Sequence, residues 1–130
     1  MFIDSNIFLE IALKNANYTK CEEFLKNLLV KNTPFYTSDF VIYSCLLIIN
    51  SKLNFPVYMK NFLIFISSIK VSILRPSLKE IYSATNFMEK YKLDFDDALI
   101  LSCMVENKIK YLVSYDKHFD KVKEVNVIKP

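Results

Sequence analysis

The stretch LDFDDALILS, residues 93–102, places Asp94, Asp96 and Asp97 together at the start of an apolar segment. Charges of one sign this close disfavour each other's ionisation, so either water screens them or a positive group sits among them. Two more aspartates stand in comparable places: Asp4 ends the apolar run MFI, and Asp116 follows YLVSY. An aspartate at a helix start is commonly a cap and nothing more. Carboxylates gathered in one cleft without a basic ligand would instead suit a hard divalent cation, Mg2+ or Mn2+, which takes oxygen ligands and keeps part of its water. Such an ion polarises a phosphoryl oxygen and acidifies water, so phosphodiester hydrolysis needs neither a histidine nor a covalent nucleophile.

Whether these aspartates meet depends on the elements that carry them. MFI, PFYT, VSIL, YLVSYD and VNVI read as short strands, the last an edge strand. Helices are expected over SNIFLEIALK, YTKCEEFLKNLLVK, SDFVIYSCLLIINSKL, PVYMKNFLIFISSI, SLKEIYSATNFMEKY and DFDDALILSCMVENK. Their starts carry signals: Thr19 with Glu22 or Glu23, Ser38 as an N-cap, Pro56 in a first turn, and Ser77 with Glu80 at capping-box spacing. The alternation predicts an α/β fold over residues 1–130, one domain, a three-layer sandwich with a short, mainly parallel sheet flanked by helices. In such a sheet, functional groups collect beyond the carboxyl ends of the strands. If the first strand lies beside YLVSYD, then Asp4, Asp97 and Asp116 converge, and Asp94 and Asp96 are left to cap the helix or face solvent.

The composition bounds the rest. With 130 residues, 52% hydrophobic and 24% charged, the chain can bury a sizeable core. It has no glycine, where about 7% is usual. That excludes a P-loop and a dinucleotide-binding fingerprint, and leaves turns to Asn, Asp and Pro. Cys21, Cys45 and Cys103 are scattered through apolar or amphipathic stretches and read as buried, reduced thiols. The single histidine, His118, cannot build a zinc site with them. The longest apolar runs fall short of the roughly 18 residues of a membrane span, and MFID lacks a signal-peptide pattern, so a soluble, cytoplasmic protein without membrane contact is expected. The net charge of +3 rests almost wholly on lysine. It permits nucleic-acid binding and equally suits a solvated face.

MFIDSNIFLE resembles the opening of PIN domains, an apolar strand ending in Asp and followed closely by Asn or Ser. TSDFVIYSCLL resembles their second motif. FDDALILSCMVENKIKYLVSYDKHFDKV resembles the third and fourth, in order and at the end of the chain. The resemblance implies a metal-dependent endoribonuclease and, for a small stand-alone member, a VapC-like toxin of a toxin–antitoxin pair. It implies Asp4, Asp97 and Asp116 as the catalytic carboxylates that bind Mg2+ or Mn2+, with Asn6 and Ser114 in support. It implies RNA as substrate, with lysines such as Lys52, Lys117 and Lys121 to hold it, together with a homodimer and a small antitoxin partner.

Two positions depart from the family pattern. Ser44 stands where the second motif carries Glu, and Asp39, about 140° away around a helix, cannot replace it. His118 stands where an acidic residue often follows the last Asp, and imidazole suits manganese better than magnesium. Asp120 is close in sequence, but the pattern does not place it in the site. Without the Glu, a second ion at about 3.5–4 Å would be held poorly. The resemblance therefore leaves a weakened or one-metal nuclease beside a degenerate PIN domain that binds RNA or protein without cutting. A phosphatase-like hydrolase would need an acidic residue two positions after its nucleophilic Asp, and Asn6 follows Asp4 there.

Overall fold

The computed structural model describes residues 1–130. Its strands are short: β1 (Phe2–Ile3), β2 (Tyr36–Ser38), β3 (Ser72–Leu74), β4 (Tyr111–Val113) and β5 (Asn126–Ile128). They form one sheet in the order β3-β2-β1-β4-β5, and every neighbouring pair is parallel. Parallel neighbours need long crossovers, and helices supply them. α1 (Ser5–Ala12) and α2 (Tyr18–Val30) join β1 to β2; α3 (Asp39–Leu53) and α4 (Pro56–Ser68) join β2 to β3; α5 (Leu78–Tyr91) and α6 (Phe95–Glu106) join β3 to β4. A short 3-10 helix, Lys117–Lys121, leads to β5. This is the expected α/β sandwich, with the expected strand VNVI at one edge.

The core explains the apolar runs. Phe2 and Ile3 of β1 and Leu112 and Val113 of β4 are fully buried, as central parallel strands must be when helices cover both faces. α6 is buried continuously from Asp97 to Met104, which is why its sequence lacks a polar face. The three cysteines are buried and unpaired. At the opposite margin from β5, β3 runs along an open edge, with Ser72 and Ile73 exposed.

Most helix starts obey the local signals. Ser38 accepts from the Val41 N–H at 3.3 Å, Pro56 opens α4, and Ser77 and Glu80 form a complete capping box. α2 differs: it starts at Tyr18, so Thr19 is not its cap, and no side chain caps it from within. Glu10 of α1 instead accepts from the Asn17 N–H at 2.7 Å, a tertiary contact that no local motif announces.

The helix ends correct the expectation about turns. Each of the six helices is followed by a residue with positive φ: Lys14, Asn32, Asn54, Lys70, Lys92 and Lys108. Glycine normally takes this seat, and here lysine takes four of the six rather than Asp or Pro. After α6, Lys108 N–H donates to Val105 O at 3.1 Å and Ile109 N–H to Met104 O at 2.8 Å, a Schellman motif built on lysine. A lysine in this seat also follows a helix carboxyl end, where the helix dipole favours positive charge.

Candidate metal centre

The strand order reverses direction about β1. The chain moves from β1 outward to β2 and β3, then returns to place β4 on the other flank of β1. Crevices form at such reversals, beyond the carboxyl ends of the strands. Register does the rest. Ile3 pairs with Val113, so Asp4 and Ser114 emerge side by side, and the Asp4 N–H donates to Val113 O at 3.1 Å.

Asp4 is buried and held by four donors. Its Oδ1 accepts from the Ser5 N–H at 2.6 Å and the Ser5 hydroxyl at 3.1 Å. Its Oδ2 accepts from Asn6 Nδ2 and from the Ser114 hydroxyl, both at 2.6 Å. Ser114 Oγ in turn accepts from Asn6 Nδ2 and from the Asp116 N–H, each at 2.9 Å. Asn6 Oδ1 accepts from the Tyr115 N–H at 3.2 Å. Asn6 and Ser114 thus both donate to Asp4 and both accept from the backbone of the loop that carries Asp116. Ser5 belongs to the same network and was missed; the only local signal is a hydroxyl directly after a strand-end Asp. Burial pushes the Asp4 carboxyl up, opposed by hydrogen bonds from Ser114 and Ser5, while the Asp116 charge adds to the rise.

Asp97 enters from α6. Asp94 is the N-cap of that helix, accepting from the Asp97 N–H at 3.1 Å, and Asp96 is exposed. Burial, then the charges of Asp94, Asp116 and Asp4, push the Asp97 carboxyl up to about 7, with His118 opposing. His118 Nδ1 lies 3.0 Å from Asp116 Oδ1 and 3.5 Å from Asp97 Oδ2. The His118 N–H also donates to Asp116 Oδ1 at 2.8 Å, which fixes the turn. One ligand atom each from Asp97, Asp116 and His118 falls within 4.8 Å of the others. Asp4, expected as the third carboxylate, lies outside this group but close enough for its charge to act on Asp97.

A cleft of about 170 Å³ opens beside these residues, lined among others by Asp4, Ser44, Asp94, Asp96 and Asp97. Ser44 therefore faces the carboxylates. Asp39 does not line the cleft, and its Oδ1 accepts from the adjacent Phe40 N–H at 2.8 Å. Asp120 pairs with Lys129 at 3.5 Å. Cys45 lies behind Asp4, but burial and the Asp4 charge push its thiol up to about 12, so it offers no thiolate. A larger hollow, about 390 Å³, lies between the end of α2 and the starts of β2 and β3, with Lys70 its only titratable group. Two carboxylates and an imidazole, beside a third carboxylate, form a donor set that fits a divalent cation.

A family model described as PIN domain matches residues 1–125. The chain belongs to the PIN domain family. No curated protein sequence matches it. Among solved structures, this PIN domain is similar to VapBC2 from Rickettsia felis bound to a promoter DNA fragment, with TM-score 0.79, 18% identity, and 99% of this chain and 97% of that chain covered. It is similar to Mycobacterium tuberculosis VapC20, a sarcin–ricin loop cleaving toxin, with TM-score 0.79, 16% identity, and coverage of 99% and 98%. It is also similar to a toxin–antitoxin complex from Klebsiella pneumoniae, with TM-score 0.74, 16% identity, and coverage of 96% and 94%. At these identities the likeness is one of fold, and it extends over nearly the whole PIN domain.

Proposed function

We propose that this PIN domain is a metal-dependent endoribonuclease, the VapC-like toxin of a cytoplasmic toxin–antitoxin pair. The observation that carries the reading is the meeting of Asp97, Asp116 and His118 within 4.8 Å at the reversal point of a PIN-family sheet. The similar fold of a toxin that cleaves the sarcin–ricin loop supports RNA as the substrate class. A divalent cation, Mg2+ or Mn2+, held at this centre would polarise the scissile phosphate and acidify the attacking water. Asp97 and Asp116 hold it. Asp4 adds negative charge and, through Ser114 and Asn6, fixes the loop from which Asp116 projects. Lys117 and Lys121, exposed on the 3-10 helix beside His118 and free of carboxylate partners, suit the RNA backbone. Lys52 suits it too, exposed in the last turn of α3 and about 6 Å along the axis from Ile48, which lines the cleft.

The same reading gives the protein partners. Apolar side chains such as Leu47, Leu78 and Tyr82, each at least 71% accessible, offer surface that a protein partner could cover. A homodimer and a small antitoxin would cover them, and the similarity to a toxin–antitoxin complex supports the antitoxin. No helix is long and apolar enough to cross a membrane.

The test is cleavage of structured RNA by the purified chain with MnCl2 or MgCl2. Asp97→Asn is expected to lower the rate by about 100-fold or more while the circular dichroism spectrum stays native. A variant that cuts at the wild-type rate rejects the assignment. A second reading, a PIN domain that binds RNA without cutting, is favoured by Ser44, which brings a hydroxyl to the cleft where the family pattern brings a carboxylate. Retention of RNA with no cleavage under either ion would select it.

A further inference from the structure

We infer that His118 is a direct ligand and that the centre selects a first-row transition ion, of the Mn2+, Co2+ or Zn2+ class, over Mg2+. This rests on the metal-dependent reading above and sharpens it. Three observations carry it. The His118 Nδ1 atom lies 3.5 Å from Asp97 Oδ2 and 3.0 Å from Asp116 Oδ1, so all three donors can reach one ion. The turn that puts it there is fixed from below, because Asp116 Oδ1 accepts the His118 N–H at 2.8 Å. The two carboxylates next in line are engaged elsewhere: Asp4 accepts four hydrogen bonds, and Asp94 caps α6. Asp116 and His118 therefore reach the centre with Asp97, one ligand atom of each within 4.8 Å of the others, while Asp4 gives charge from outside the group.

The chemistry follows from the donors. Magnesium is small, strongly hydrated and poorly matched to imidazole, whereas nitrogen donors raise affinity for transition ions. The other role open to an imidazole between two carboxylates is that of a protonated counter-ion. That role is worth little here, since the His118 side chain is 66% exposed and such pairs are screened by water. The two roles predict opposite results. Removing a ligand weakens ion binding, and removing a competing cation strengthens it.

The experiment uses Mn2+ alone and Mg2+ alone on the full chain. Binding is measured by calorimetry, and pulsed electron paramagnetic resonance of the Mn2+ complex reads coupling to a bound 14N nucleus. Wild-type protein is expected to bind Mn2+ more tightly than Mg2+ and to show the 14N coupling. His118→Asn, an exposed position that leaves the core intact, should abolish the coupling and weaken Mn2+ binding by about 10-fold, with a smaller effect on Mg2+. Mn2+ bound without nitrogen coupling, or bound more tightly by the variant, overturns the inference and leaves the nuclease reading standing. Absence of binding by either ion in folded wild-type protein, even with RNA added, overturns both.

Discussion

Asp97 carries an electrostatic conflict whose cost has a definite sign. An ordinary aspartate titrates near 3.8, and burial with neighbouring carboxylates raises Asp97 to about 7. Between those values the folded chain keeps a proton that the unfolded chain has lost, so stability falls as pH rises through this window. Above about 7 the full penalty is present. In chelator-treated protein, Asp97→Asn should therefore be more stable than wild type at pH 8, by about 1–2 kcal/mol once solvent screening in the cleft is allowed for. The difference should vanish toward pH 4. Thermal melts of both proteins across that range check it, and a constant offset would show that Asp97 is not the source. The sequence shows that three acids crowd the start of this helix. It does not show which of them is buried, because that depends on α6 sinking into the core from Asp97 onward.

Each helix closes on a left-handed residue without the help of glycine, and that conformation costs an ordinary side chain on the order of 1 kcal/mol. Lys108 offers the cleanest test, since its Schellman hydrogen bonds are both formed and its side chain is exposed. Lys108→Gly is expected to stabilise the protein by about 0.5–1 kcal/mol, net of the entropy that glycine adds to the unfolded chain, and so to raise Tm by a few degrees. A lower Tm would mean that the lysine charge at the helix end outweighs the backbone strain. These seats were invisible in the sequence because lysine is an ordinary helix residue and carries no turn signal. The elements themselves were readable, since apolar runs and capping residues mark them. The start of α2 was misread, because Glu10 supplies from a distance what a local cap usually supplies.

At the scale of the molecule, one fact decided the site: β1 lies between β2 and β4. No residue type encodes that order, and the strands are too short for their own pattern to fix it. The aspartates at the strand ends were visible as chemistry, but only the pairing of Ile3 with Val113 brings them together. His118 shows the opposite limit, since its identity was plain while the direction of its ring depends on a turn three-dimensional in origin. The exposed apolar side chains belong to this scale too. Light scattering on the purified chain is expected to give twice the monomer mass, and the mass of a single chain would remove the homodimer from the proposal. The margin of the sheet has a further consequence, for handling rather than chemistry. β3 leaves one row of backbone donors and acceptors unmatched, with Ile73 47% exposed on it and only Lys70 and Arg75 as flanking charges. Such a margin is a template on which other chains can add strands, and flanking charges are its natural gatekeepers. Ile73→Lys should slow aggregation of concentrated protein at elevated temperature without altering its fold, while an unchanged rate would place the sticky surface elsewhere. The chain is thus expected to be hardest to keep in solution along an edge that faces away from its chemistry.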